Sequence, residues 1–135
     1  MAENDCTFCK IVAGEMPATV VLEDERAIAI MDVNPATRGD ALVIPRKHVR
    51  DLLEIEREDL EAAVAAAQKL ARRAVDRLGA DGVNLLNSCG EAAWQTIFHF
   101  HIHVIPRYEH DPLRLPWTPS PGNPDEIAAT AAKLR

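Results

Sequence analysis

The chain has 135 residues, 47% of them hydrophobic, enough for one domain with a real core and too few for two. A formal net charge of -6 argues against a protein that coats nucleic acid, which needs a basic patch to neutralise backbone phosphates, but it leaves room for a single nucleotide in a pocket. The polar start "MAENDCTF", the lack of an apolar run long enough for a signal core or membrane span, and three cysteines with two of them in "CTFC" predict a cytoplasmic chain with no membrane contact, whose thiols serve a metal or redox role rather than a disulfide framework.

The segment from Cys6 to Gly14 reads as a short helix. "VVLED" and "AIAIMD" read as two strands joined by the polar turn Asp24 to Arg26, a hairpin. "DVNPATRGD" is turn chemistry, with Pro35 and Gly39 as breakers, and "ALVIP" is a third strand that ends at Pro45. From about Glu56 to Leu78 the period changes. Leu60, Ala63, Val64, Ala67, Leu70, Ala71, Ala74, Val75 and Leu78 recur at the three-and-four spacing of an amphipathic helix, and Gly79 stops it. Acidic residues (Glu56, Glu58, Asp59, Glu61) crowd the start and basic ones (Arg72, Arg73, Arg77) the end, as the helix dipole favours, and these charges read as a solvated face. "GVNLLN" is a fourth strand and "SCGEAAWQ" a loop of small residues.

The run "QTIFHFHIHVIPR" is expected to be a fifth strand, closed at Pro106 by the loss of a backbone donor. From His110 to Pro124 five prolines predict an irregular arm, followed by a short helix from about Asp125. Three strands, a long helix and two more strands do not alternate as a parallel α/β fold does. The expected class is therefore α+β: an antiparallel sheet of about five strands with one long helix and short terminal helices. The whole of 1–135 forms one domain, with 110–135 as its arm and terminal helix.

On a strand, residues two apart share a face, so His99, His101 and His103 point one way while Phe100, Ile102 and Val104 fill the core side. A lone histidine on an exposed strand face is unremarkable, but three in register suggest chemistry. Imidazole can ligate metal, move protons or act as a nucleophile. A catalytic zinc needs a carboxylate close by as general base, and the run supplies none. The preceding loop "NSCGEAAWQT" offers backbone N–H groups to an anion, with Gln95 and Thr96 adding donors, so phosphate and a nucleophilic histidine are the better reading. "CTFC" has zinc spacing but lacks two ligands, and free thiols are its alternative. His110 in the arm reads as solvated.

"QTIFHFHIHVIPR" resembles the H-φ-H-φ-H-φ-φ signature of the histidine-triad (HIT) family, and "CTFCKIVAGEMPATVVLEDERAIAIMDVNPATRGDALVIPRKH" and "NSCGEAAWQT" are similar to the amino-terminal half and phosphate loop of its bacterial Hint-like branch. The resemblance implies a homodimer with the sheet continued across it, and a hydrolase or transferase acting at the α-phosphate of purine nucleotides or nucleoside phosphoramidates. It implies His101 as the nucleophile that forms a nucleotidyl-histidine, His103 as the contact to a phosphate oxygen, and Thr96 as help to the leaving group. Gln95 would lie near the phosphates, Asp32 would hold the ribose, and Phe8, Ile11, Met16, Ile30 and Val33 would enclose the base; for these five a plain core role is the alternative. Ser88 stands where relatives commonly have a phosphate-contacting Asn, with Asn87 beside it as a possible substitute, and Trp94 stands where Gly is usual. Cys6, Cys9, His48 and His99 would complete a structural zinc site, giving the aligned histidines two jobs. The rival reading from another class is a nucleotide-binding regulator with vestigial catalysis.

Overall fold

The computed structural model describes residues 5–135; the polar start at residues 1–4, part of the reading of the amino terminus, lies outside the described residues. In chain order the elements are α1 (Thr7–Val12), β1 (Val20–Glu23), β2 (Ala27–Met31), β3 (Ala41–Pro45), α2 (Arg57–Leu78), β4 (Gly82–Leu86), β5 (Ile102–Arg107) and α3 (Pro124–Leu134). The five strands form one sheet in the order β1-β2-β3-β5-β4, antiparallel throughout. This is the expected α+β class. No helix among the described residues is long and apolar enough to cross a membrane.

Side-chain alternation divides the sheet into two buried layers. One face presents Ala27, Ala29, Ala41, Val43, Ile102 and Val104 to α2, which packs against them through Ala63, Ala66, Ala67 and Leu70. Small alanines let the helix approach closely, and Phe100 fills the space at one end. The other face carries Ile28, Ile30, Leu42 and Ile44, covered by α1 through Cys6 and Phe8. Burying these methylenes supplies roughly 25 cal/mol for each Å² removed from water, the main force holding both layers.

Helix α2 ends as its sequence requires, with Gly79 at φ +70° and its N–H returned to the Ala74 carbonyl. Its start is different from a solvated face. Asp59 is buried and accepts from Arg26 at 3.0 Å while Glu58 takes the other guanidinium nitrogen at 2.8 Å, so the β1–β2 turn is tied to the first turn of the helix. Conversely, Val64 and Val75 of the apolar stripe remain exposed, because the sheet covers a narrower strip than the pattern offers.

Pro106 does not close β5. The strand runs on to Arg107 with Pro106 opposite Val83, since the last β3 partner is already behind it, with Ala41 opposite Val104. A residue with an edge on only one side loses little by lacking a donor. At its other end β5 starts late. Hydrogen bonding to β3 begins at Ile102, and Phe100 instead gives its N–H to the Val49 carbonyl at 2.7 Å. Only His103 of the three histidines therefore lies on the ladder itself, opposite Leu42 on β3 and Leu86 on β4.

Candidate functional site

The histidines keep their alternation although the ladder does not reach all of them. Phe8 from α1 stands edge-on to both His99 and His101, at ring-centroid distances of 5.8 and 5.2 Å, and His101 stands 5.3 Å from His103. The row is thus set on the α1 side of the sheet, with its first two members buried and His103 partly open.

His99 turns away from the other two. Its Nε2 lies 2.8 Å from the Pro45 carbonyl, and a carbonyl only accepts, so Nε2 carries the proton and Nδ1 holds a lone pair. That lone pair faces Cys6 Sγ at 3.4 Å and Cys9 Sγ at 3.5 Å, and His48 Nδ1 lies 3.1 Å from Cys9 Sγ. All four ligand atoms lie within 4.8 Å of one another. Cys6 caps α1, its sulfur accepting from the Cys9 N–H at 3.4 Å, so the helix turn holds both thiols to one side. Two thiols and two imidazoles, one of them locked in the metal-ready tautomer by a carbonyl, fit a tetrahedral divalent ion of the zinc type. Burial, opposed by the Pro45 carbonyl and reinforced by His48 and His101, lowers the His99 pKa from 6.5 to about 4, so the ring stays neutral as a ligand must.

His101 is held the other way round. Its Nδ1 donates to the His99 carbonyl at 2.8 Å, which leaves the Nε2 lone pair as its reactive end. Burial lowers its pKa below the ordinary value; the His99 carbonyl opposes this, nearby His103 adds to it and Asp32 offsets part of it. The backbone behind the ring is fixed too, since the Asn87 side-chain amide donates to the His101 carbonyl at 2.9 Å. The result is a neutral, oriented imidazole with its basic nitrogen available.

The loop between β4 and the histidines is built around Gln95. This side chain is buried, accepts from the Gly90 N–H at 2.8 Å, and donates to the Arg50 and Ile97 carbonyls at 2.8 and 3.1 Å. Its hydrogen-bonding capacity is spent on holding the loop. The N–H groups of Ala93, Trp94 and Gln95 also bond within the loop, so with Gly90 four amides are not available to an anion in this conformation. Ser88 is buried, Cys89 half-buried and Thr96 exposed. Trp94 is 61% exposed and sits at φ +77°, the one non-glycine residue with positive φ among the described residues. A left-handed backbone is the physical reason for glycine at such a position.

Asp32, just past β2, reaches the same region, with Oδ2 3.7 Å from His103 Nδ1. Of the five residues expected around a base, Phe8 and Ile30 belong to the core layer under α1, Ile11 packs against it, and Met16 and Val33 are exposed. His110 is exposed at the start of the arm. Asp40, which the sequence reading passed over, is buried with Oδ1 3.9 Å from His103 Nδ1. Counting by two from Leu42, the β3 partner of His103, would have placed it on the histidine face.

The HIT domain family model matches residues 13–110. The chain belongs to the HIT family. It is similar to the Protein hit of Bacillus subtilis, 44% identical over 107 residues, a match covering 79% of this chain and 73% of that one. The adenylylsulfatase HINT3 of Arabidopsis thaliana is 41% identical over 111 residues, covering 82% of this chain and 56% of that protein. Among solved structures, a Zn-bound histidine triad family protein from Mycobacterium smegmatis superposes with a TM-score of 0.80 at 39% identity, covering 98% of this chain and 97% of that one. The HIT match begins after Cys6 and Cys9, so half of the thiol–imidazole cluster lies outside the segment that defines the family.

Proposed function

We propose that this HIT protein is a purine nucleotide hydrolase or transferase acting at the α-phosphate of nucleoside phosphoramidates or phosphoanhydrides, and releasing a nucleoside monophosphate. The observation that carries the reading is the His101 tautomer: Nδ1 is bound to the His99 carbonyl, so Nε2 offers a lone pair on a ring that burial keeps neutral. A neutral, pre-oriented imidazole is what attack on phosphorus requires. The relative named as an adenylylsulfatase supports a substrate with a leaving group on a nucleotide phosphate.

In this reading the His101 Nε2 lone pair forms a bond to the α-phosphorus as the bond to the leaving group breaks, and Thr96 helps to place a proton on that group. Water then attacks the nucleotidyl-histidine; the P–N bond breaks, His101 recovers its lone pair and the monophosphate leaves. His103 donates to a non-bridging oxygen, and Asp32 accepts from the ribose hydroxyls. Phe8, Ile11, Met16, Ile30 and Val33 border the base, and Asn87, Ser88 and Gln95 shape the phosphate loop, Asn87 and Gln95 by holding backbone. Zinc held by Cys6, Cys9, His48 and His99 would tie α1 to β3 and to the histidine run, and four protein ligands leave it no open position for the reaction.

The acting unit is a homodimer formed through β4, whose free edge carries exposed Leu85 and Leu86, so that the sheet continues into the second copy. The arm is anchored at its root by the Arg107–Asp111 pair at 2.8 Å, while Leu115 and Trp117 beyond it are exposed, as suits a segment that meets the other subunit.

The test is turnover of an adenosine phosphoramidate by the native protein and by His101→Ala. The expected result is AMP release by the native protein and a loss of several orders of magnitude in the variant, on the scale of removing a nucleophile, with nucleotide affinity nearly kept. Tight nucleotide binding without release by the native protein would make it a regulator instead.

A further inference from the structure

Two carboxylates converge on one ring nitrogen. Asp32 Oδ2 and Asp40 Oδ1 lie 3.7 and 3.9 Å from His103 Nδ1. Their other oxygens are taken: Asp32 Oδ1 accepts from the Asn34 N–H at 2.8 Å and Asp40 Oδ2 from the Ala36 N–H at 2.9 Å. With the Asp32 N–H bonded to the Asp40 carbonyl, the segment between β2 and β3 is closed on itself and turns one oxygen of each acid toward His103.

The two acids differ in what else can reach them. Asp32 is partly open and is the proposed ribose contact, so bound hydroxyls would compete for its oxygens. Asp40 is 2% exposed, and its Oδ1 is a buried oxygen with no hydrogen-bond partner. A buried carboxylate oxygen without a donor is costly, and native structures rarely leave one. The group that faces it is His103 Nδ1, slightly beyond hydrogen-bond reach, and a small rotation of a ring that is partly open closes the gap.

We propose that Asp40 is a positioning residue for the reaction: its buried carboxylate keeps a proton on His103 Nδ1 and so fixes the ring with Nε2 toward the phosphate. The proposal rests on the reading of His103 as the contact to a phosphate oxygen. A lone pair on Nδ1 would face two negative oxygens and be repelled, so the protonated Nδ1 is the form this pair selects. When a phosphate oxygen sits at Nε2 the ring must donate there as well. It is then an imidazolium, and a charge-assisted bond to Asp40 supplies its counter-charge after the ribose has claimed Asp32. The neighbours facing His103 are thus these two acids and the neutral ring of His101.

The test uses the full chain. Imidazole ¹⁵N spectra, with His103 assigned from a His103→Gln sample, are recorded at neutral pH with and without AMP, alongside adenosine phosphoramidate kinetics of the native protein and of Asp40→Asn. That variant keeps an oxygen for the Ala36 N–H and turns a neutral amide donor toward His103 Nδ1 in place of the charged acceptor. Expected are a proton on His103 Nδ1 in the native protein, its loss or mixture with the other tautomer in the variant, and a fall in kcat of about 10- to 100-fold, the scale of a misplaced catalytic group, with KM little changed. A folded variant with native kcat and native His103 signals would overturn the proposal. So would a native spectrum with no proton on Nδ1, which decides the matter even if the variant fails to fold. The three side chains also suit a cation, so added manganese that selectively broadens the His103 signals would overturn it in favour of a metal site. If the native protein neither turns over the phosphoramidate nor binds AMP, the proposed reaction fails, while the spectra of the free protein still decide the Asp40–His103 pairing.

Discussion

His99 donates a hydrogen bond from its Nε2–H to the Pro45 carbonyl at 2.8 Å, and this one bond determines what the rest of the ring can do. It leaves the Nδ1 lone pair among the sulfurs of Cys6 and Cys9, and it ties the end of β3 to the start of the histidine run. Two residues on, His101 makes the opposite choice and donates from Nδ1. Alternation put both rings on one side of the chain; the carbonyl that each one finds sets which nitrogen keeps the lone pair, Nδ1 in His99 and Nε2 in His101.

A metal prediction follows from the first of these bonds. Native protein purified without chelators is expected to contain about one zinc per chain, as four protein ligands at these separations imply. Cys9→Ser is expected to lose the metal and melt at a lower temperature, yet to turn over substrate wherever it is still folded, because His101 takes its tautomer from a carbonyl and not from the ion. Metal analysis, melting temperature and initial rate on the same samples check this. A folded, zinc-free variant with no turnover would contradict it.

Acid sensitivity of the metal-free protein comes from the same ring. The folded His99 pKa, about 4, lies below its ordinary 6.5, so in acid the unfolded chain binds the proton first. Stability is therefore full above about pH 6.5 and is lost as pH falls toward 4, by roughly 3 kcal/mol for a shift of this size; the lowered pKa of His101 acts in the same direction. The Asp111 carboxyl, held down first by its hydrogen bond to Arg107, begins to matter only below its ordinary 3.8, outside this window. Urea midpoints of chelator-treated protein at several pH values between 7 and 4.5 measure the effect. A flat profile would contradict it.

Much of this architecture is legible in the sequence because it rests on local rules. Strand alternation, the three-and-four spacing of α2 and the left-handed stop at Gly79 all appear in the structure where the residues imply them. What the sequence conceals depends on partners far along the chain. Asp59 reads as a solvated helix charge until Arg26, 33 residues away, is folded against it. Gln95 reads as a ligand for phosphate, but its donors and acceptor are committed to Arg50, Ile97 and Gly90. Pro106 reads as a strand end because the sequence does not say that β3 stops first. Asp40 was hidden by its setting in a turn, where acids are ordinary.

Sugar preference tests the role of Asp32. Its Oδ1 is held by the Asn34 N–H at 2.8 Å, which fixes the carboxylate plane and leaves Oδ2 for a ligand. If Oδ2 accepts from the ribose hydroxyls, ribonucleotides should bind better than their 2′-deoxy analogues by about tenfold to a hundredfold, the value of a hydrogen bond to a charged acceptor. Asp32→Ala should remove most of that difference. Equal affinities for AMP and 2′-deoxy-AMP in the native protein, measured by calorimetry, would rule out this contact.

Trp94 supplies a prediction in which stability and specificity move in opposite directions. Its backbone is left-handed at φ +77°, which costs a residue with a Cβ roughly 1–2 kcal/mol, and a side chain 61% exposed recovers little of that by burial within its own chain. Glycine removes the strain. It also adds about 0.4–1 kcal/mol of disorder to the unfolded chain, so Trp94→Gly should be more stable by a net of about 0.5–1 kcal/mol. The loop's other bonds, from the Gly90, Trp94 and Gln95 N–H groups, are made by the backbone or by Gln95 and survive the change. A strained aromatic left open beside the proposed phosphate loop is better explained by what it meets than by what it stabilises. Turnover of phosphoramidates with bulky aromatic leaving groups should therefore fall in the variant relative to the unsubstituted phosphoramidate. Urea midpoints and paired kcat/KM values on one preparation check both halves. If the variant is instead less stable and its dimer dissociates at a higher protein concentration than the native dimer does, then Trp94 is buried against a second copy of the chain, and its strain is offset by the dimer rather than retained for substrate.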